Sequence, residues 1–594
     1  AVRALETEVA LVRNTVVMGR YDDALARLQP LQPQVVELEY PPLQAAAALA
    51  LGRIEEGRGN ASEAEAALRE SFDVAMEAGA FGLAAEAGTT LTGVVGDDQA
   101  RYGEGLVWGE LSVGLTRGHP AARHLRASAS LAVARIYQDQ GKLDRAAEGY
   151  QHAYDETVAL HGPDHPVALA ARHNLGSVLY LQGQFEAAAA QHRRTIESMR
   201  RVLGPEHPDV AIAQSNLANA LNSAGRYDEA IQEHQAALAI QERALGSDHT
   251  EVAVSRSNLG AVLLRQGKYA EAGTEFELAL DIATKTLGAE HPDLATYHTN
   301  VGAVAAMTGA LARARPHLET AMTLRAAALG EDHREVAMAR SNLAQILTAL
   351  GELDPAEQQL RLAVGSMERT APDHPDLAGL YHDLASLALE RERFDEAITL
   401  SRTALQMLET RVAPDHPREL PLRLTLGTVL MQSGDYEAAV EELRHAAELG
   451  TRTVGATHPQ VMQARLRRAA ARYGQGDRDA AVRLQSAALQ DIGPALEANA
   501  HPTIGDLIAL GRAALRAKHP NDALAPLERA VEAAVAHEVD DRLATARLVL
   551  AEALWASKTD RVRARTLARE AAAREPTDGE AATKAQAWLD AHPG

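Results

Sequence analysis

The sequence predicts an all-α fold: a right-handed superhelical solenoid of about fourteen helix-turn-helix repeats, closed by a C-terminal capping helix. Three observations carry that expectation. His recurs at 165, 207, 249, 291, 333, 374, 416 and 458, a period of 42 residues broken once by 41. Nine residues after the His stands Asn in five consecutive copies, and eighteen after it stands Gly in most copies. Composition agrees. Apolar residues make up 46% of the 594, yet aromatics only 4%, which suits Ala- and Leu-rich helices in close contact rather than a β-sandwich.

The copy opening at Pro208 shows how one unit is built. Pro208 suits the first position of a helix, where a missing N–H costs nothing. Leu217, Ala220, Leu221 and Ala224 then recur at spacings of three and four, an apolar stripe. Gly225 stops the helix by accepting a left-handed conformation. Tyr227-Asp228-Glu229-Ala230 opens the second helix with acids at its positive end. Ala230, Ala237 and Leu238 form the second stripe, and Leu245-Gly246 closes the unit. Pro316 interrupts this scheme five residues into a second helix, so a kinked or late-starting helix is expected there.

Leu217-Ala218-x2-Leu221 and Leu259-Gly260-x2-Leu263, followed by Ala272-x3-Phe276 and Ala146-x3-Tyr150, match the tetratricopeptide signature rather than the HEAT or armadillo type. The 42-residue unit, with Pro-Asp-Val-Ala at 208–211, Asn216-Leu217-Ala218, Gly225-Arg226-Tyr227-Asp228-Glu229-Ala230 and Leu245-Gly246-Ser247-Asp248-His249, resembles the kinesin-light-chain type of that repeat over roughly residues 120–500. Turn motifs at Gly19 and Gly59 mark two earlier units, Gly96 a third and Gly141 a fourth. Lys518 and Lys558 stand where the last two units should turn, and 581–591 reads as a polar cap. The organisation expected is three divergent repeats over 1–118, regular repeats over 119–500, and two divergent repeats plus the cap over 501–594. Val94-Val95-Gly96-Asp97-Asp98-Gln99-Ala100-Arg101-Tyr102 and Gly105-Leu106-Val107-Trp108 resemble a segment of bacterial eukaryotic-like Ser/Thr kinases, in which a kinase domain precedes such an array. That resemblance implies a cytoplasmic bacterial signalling protein. A chain opening on Ala1 is then expected to be a piece of something longer.

Several function classes are disfavoured at once. The formal net charge is −22, which lacks the basic footprint of a nucleic-acid binder. There is no Cys, so thiolate metal sites and cysteine nucleophiles drop out. No apolar run is long enough for membrane insertion. No Gly-rich phosphate loop, H-R-D, D-F-G, G-x-S-x-G or H-E-x-x-H motif is present, so the segment is expected to be non-catalytic and to need no cofactor. The recurring His are expected in turns, since residues one helix apart, about 8–10 Å, cannot share an ion. Arg193-Arg194 and Arg200-Arg201 read as solvated outer surface. The site candidate is the Asn ladder: Asn174, Asn216, Asn258, Asn300 and Asn342, extended by Asn219 and Asn222 along one helix. The light-chain resemblance implies that these face a concave groove and hold a protein or extended peptide by its backbone, since an amide both donates and accepts. The alternative is that each Asn ties adjacent helices together. The light chains carry two adjacent Asn; here the ladder residue follows His173, Ser215, Ser257, Thr299 or Ser341.

Overall fold

Packing inside each repeat follows from one small residue. In six repeats a glycine of the first helix meets a large side chain of the second, sixteen positions on. Gly52 meets Leu68, Gly176 meets His192, Gly260 meets Phe276, Gly302 meets Leu318, Gly427 meets Leu443 and Gly511 meets Leu527. A Cβ on Gly176 would lie 2.7 Å from His192 Cε1, and one on Gly427 2.6 Å from Leu443 Cγ, so no larger residue fits without displacement. This contact is the physical content of the L-G and A-x3-F signature. The invariant alanine four residues before each large side chain is equally buried: Ala64, Ala188, Ala272, Ala314, Ala439 and Ala523 are all fully enclosed.

The computed structural model describes residues 2–411, 416–573 and 579–592. Among these, α-helices dominate and no strand occurs. The helices form fourteen antiparallel pairs, from Val2–Val17 with Tyr21–Leu28 to Asp540–Ser557 with Arg561–Ala572. Two short helices, Gln32–Glu37 and Gly493–Ala498, interrupt the alternation. Gly579–Ala591 closes the array, packing Ala581 and Ala585 beside Ala544, Leu548 and Ala571. Two compact units result, Ala1–His291 and Pro292–Gly594. In the first, Tyr150 and Phe276 are the largest fully buried side chains. The second contains a continuous apolar cluster from Met462 to Ala568.

Turns fall where the register places them, with two corrections. Gly19, Gly59, Gly141, Gly183 and Gly225 all hold a positive φ, and Lys518 and Lys558 hold the same left-handed conformation at φ +65° and +60°. The third repeat turns at Ala100, φ +54°, and not at Gly96, which lies inside a π-helical turn, Val94–Asp98. Gly96 is small for a different reason: it touches the backbone of Gly105. The helix holding Pro316 starts on time and runs from Leu311 to Leu329. Both Pro316 and Ala312, whose carbonyl loses its N–H partner, are exposed, so water can replace the missing bond. The Ala310 carbonyl accepts from both Arg313 and Ala314 N–H, which secures the first turn.

Candidate peptide-binding face

Each ladder residue lies midway along a first helix, and for Asn174, Asn216, Asn258 and Asn342 the recurring histidine caps the start of that helix. His165, His207 and His249 in the first unit accept, through Nδ1, the backbone N–H two residues on, at 3.3, 3.2 and 3.2 Å. His333, His374, His416 and His458 do the same in the second unit, at 3.1–3.3 Å. The imidazole thus takes the N-cap role usually filled by Ser, Asp or Asn. It can do so only while Nδ1 is unprotonated. Burial holds both His165 and His458 below the ordinary histidine range, helped at His165 by the neighbouring His161.

In the first unit, Asn174, Asn216 and Asn258 sit at matching positions of Pro166–Leu181, Pro208–Ser223 and Thr250–Arg265, all half-buried. Asn216 Nδ2 lies 3.3 Å from His173 Nε2 of the preceding repeat's first helix. Seven residues further, Ser223 Oγ donates to the Tyr180 hydroxyl at 3.2 Å, so the same faces of two successive first helices adjoin. Asn174 lies close to the Tyr150 hydroxyl. Asn222 turns inward, and its Oδ1 is buried without a partner. Asn219 and Asn258 bond no other side chain among the described residues. Exposed Ile212 and Val254 lie one turn before Asn216 and Asn258.

In the second unit, Asn300 and Asn342 occupy the same position of Leu294–Met307 and Arg334–Ala349, again half-buried. Asp383 replaces Asn in the next repeat and is bonded by Ser341. Burial raises the Asp383 carboxyl despite that bond and the nearby His382. Further on, Arg467 takes the position and bonds Asp506 at 2.8 Å and Thr428 at 2.7 Å. Ladder positions can therefore join neighbouring helices, and do so wherever the residue is ionic.

A second column escaped the sequence reading. Two residues before the ladder stands a polar group that bonds the second helix nineteen positions on: Gln214 to Glu233 and Arg256 to Glu275 in the first unit, at 3.1 and 2.8 Å. His298–His317, Arg340–Gln359 and Arg423–Glu442 repeat this in the second, at 2.9, 2.7 and 3.1 Å. The spacing of nineteen carries no fixed residue type, because the partners vary in chemistry. The outer arginines are clasps as well as solvated surface: Arg193 meets Glu229 at 3.0 Å and Arg201 meets Asp164 at 2.8 Å. Such exposed pairs contribute little each. No group of three or more His, Asp or Glu among the described residues could hold a metal, and no helix there is long and apolar enough to cross a membrane.

A tetratricopeptide repeat model matches residues 125–201, 192–243, 209–272, 251–325, 295–369, 376–449 and 418–491, together more than half of the chain. A second model of the same description matches 9–73. The chain belongs to the tetratricopeptide repeat family. Solved structures similar to this tetratricopeptide array include the kinesin-light-chain TPR-like repeats of Podosopora anserina, 25% identical over 34% of this chain and 97% of that one, with a TM-score of 0.32. BtubC (BKLC) of P. vanneervenii is 21% identical over 39% of this chain and 94% of its own, TM-score 0.35. The apo form of RapI is 15% identical over 48% and 98%, TM-score 0.38. No curated protein matches the chain. As a tetratricopeptide array, it is a protein-interaction scaffold on a fold that is typically non-catalytic.

Proposed function

We propose that the array binds an extended peptide, holding its backbone on the first-helix face that carries Asn174, Asn216, Asn219 and Asn258, with Asn300 and Asn342 serving the same purpose in the second unit. The observation that supports this reading is the pair of amides on Asn219 and Asn258: half-buried and bonded to no other side chain among the described residues. An amide without an internal partner can donate to a carbonyl and accept from an N–H of the same peptide, reading no side chain. Asn222, with its inward Oδ1, serves helix packing rather than the peptide.

The parent protein in this reading is a bacterial Ser/Thr kinase that uses the array to recruit substrates or regulators, supported by the resemblance of the segments 94–102 and 105–108. A free-standing adaptor is equally compatible with the repeats. Sequencing the reading frame upstream of Ala1 separates them, since H-R-D and D-F-G motifs are either there or not.

The binding test uses a peptide selected from a random display library on the full chain. Asn216→Ala, Asn219→Ala and Asn258→Ala together should weaken that peptide tens-fold, at about 0.5–1.5 kcal/mol per lost bond. The melting temperature should move little. A variant that melts much lower yet binds the peptide normally would show that these amides are helix ties.

A further inference from the structure

The second unit holds a recess of about 550 Å³, and the sequence shows how it arises. Sixteen residues after the recurring histidine stand Leu181, Ser223, Arg265, Met307 and Gln432, but the copy that follows His458 has Gly474. Ala470, one turn earlier, and Ala509 and Ala513 on the next first helix are small as well, and all four residues line the recess. Tyr436 takes part of the freed space: a Cβ on Gly474 would lie 2.4 Å from its Cε1. Phe394, Met431 and Tyr473 supply the rest of the bulk around it.

These walls are fixed before any ligand arrives. Tyr473 is buried, and its hydroxyl donates to Gln485 Oε1 at 3.2 Å. Gln485 is held in turn, its Nε2 donating to the Asp522 carbonyl at 2.8 Å. One turn before Met431, Ala470 and Ala509, the Arg467 guanidinium bonds both Thr428 and Asp506 and so ties the same three first helices together. A preformed, largely apolar and aromatic recess of this size with few polar groups is the usual form of a small-molecule site.

Charge selects the ligand. Among the residues that line the recess there is no Asp or Glu. Arg516 lines it too, exposed and with no ion pair or hydrogen bond among the described residues. First helices end here, at Ser433 and Gln475, and second helices begin, at Phe394 and Tyr436. Their dipoles offset one another, so the guanidinium sets the sign. A peptide backbone finds no amide to hold it at this point, because the ladder positions are Thr425 and Arg467, the latter already engaged.

We propose that this recess binds a small amphipathic carboxylate, its apolar body among Phe394, Met431, Tyr436 and Tyr473 and its carboxylate on Arg516. The body supplies affinity through buried apolar area. The head supplies selectivity, since the planar fork of N–H donors on Arg matches a carboxylate in two parallel bonds. The inference stands apart from the peptide reading, as no ladder residue lines the recess.

Isothermal titration of the full chain with decanoate, decanol and decylamine keeps the body constant and changes the head. Decanoate should bind at a single site, and the alcohol and the amine about tenfold more weakly or worse. Arg516→Gln alters an exposed side chain and should bring decanoate down to the affinity of the alcohol. Ala509→Leu fills the recess and should abolish binding of both, with a melting curve confirming that the variant is folded. Decanoate that does not bind overturns the proposal. Equal binding of decanoate and decanol, or a preference that survives Arg516→Gln, overturns the carboxylate assignment. Binding unchanged in folded Ala509→Leu places the ligand on apolar surface elsewhere and overturns the recess.

Discussion

His192 and His234 fill the position that Tyr150 and Phe276 fill in flanking repeats, and both are buried. Neither ring nitrogen of His234, nor Nδ1 of His192, has a partner. Burial depresses both to about 4, against an ordinary value of about 6.5. The unfolded chain therefore takes up protons that the folded chain refuses. Their stabilising contribution is complete above pH ~6.5 and is lost as pH falls toward 4. Protonation of Nδ1 would also release the histidine caps. Asp97, pushed up by burial to about 6, acts in the opposite sense, favouring the fold at low pH. His192→Phe should raise the melting temperature at pH 7, since Gly176 already offers the room that Gly260 gives Phe276. Removing the unpaired Nδ1 should contribute about 1–3 kcal/mol. Melts at pH 7, 6, 5 and 4 should also show a shallower acid decline than wild type. An unchanged slope would sink the assignment.

At the scale of helices and turns, the left-handed positions separate good turns from strained ones. Glycine holds most of them, but Glu392, Lys518 and Lys558 also lie at positive φ, which a Cβ disfavours by about 1 kcal/mol. Lys518→Gly and Lys558→Gly should each raise stability by roughly 0.5–1 kcal/mol, partly offset by greater freedom in the unfolded chain. Denaturant unfolding measures this, and a loss of stability would mean that the lysine stems matter more than the backbone. The turns at Lys518 and Lys558 were legible from their place in the array and not from the His and Asn markers, which no longer stand in register there. Gly96 misled because a glycine chosen for close backbone contact looks the same, in sequence, as one chosen for a turn. Pro316 did not delay its helix, because its cost depends on whether the freed carbonyl meets water, which no local pattern reveals.

At the scale of the whole chain, an array ends in raw apolar surface unless something covers it. Gly579–Ala591 does so, and Trp588 packs edge-on against Trp555, 5.6 Å between ring centres. Two of the three tryptophans thus report on this end. Truncation after residue 573 should expose Ala544, Leu548 and Ala571, shift Trp555 emission to the red and promote aggregation. Emission identical to the full chain would show that the cap is dispensable. The repeat count was legible, since a 42-residue register survives divergence. The Asn column was legible as identical residues at one register position, whereas the polar column beside it was not, because its residue types change from repeat to repeat.

The spacing of contacts has a consequence for biosynthesis. Within a repeat, the glycine–large-residue contact spans sixteen positions and the polar column nineteen; the next repeat is reached from His173 to Asn216, 43 positions away. Loops this short close quickly and cost little entropy. A chain leaving the ribosome at about 5–20 residues per second can therefore complete each hairpin of helices, and dock it on its predecessor, before the following one has been translated.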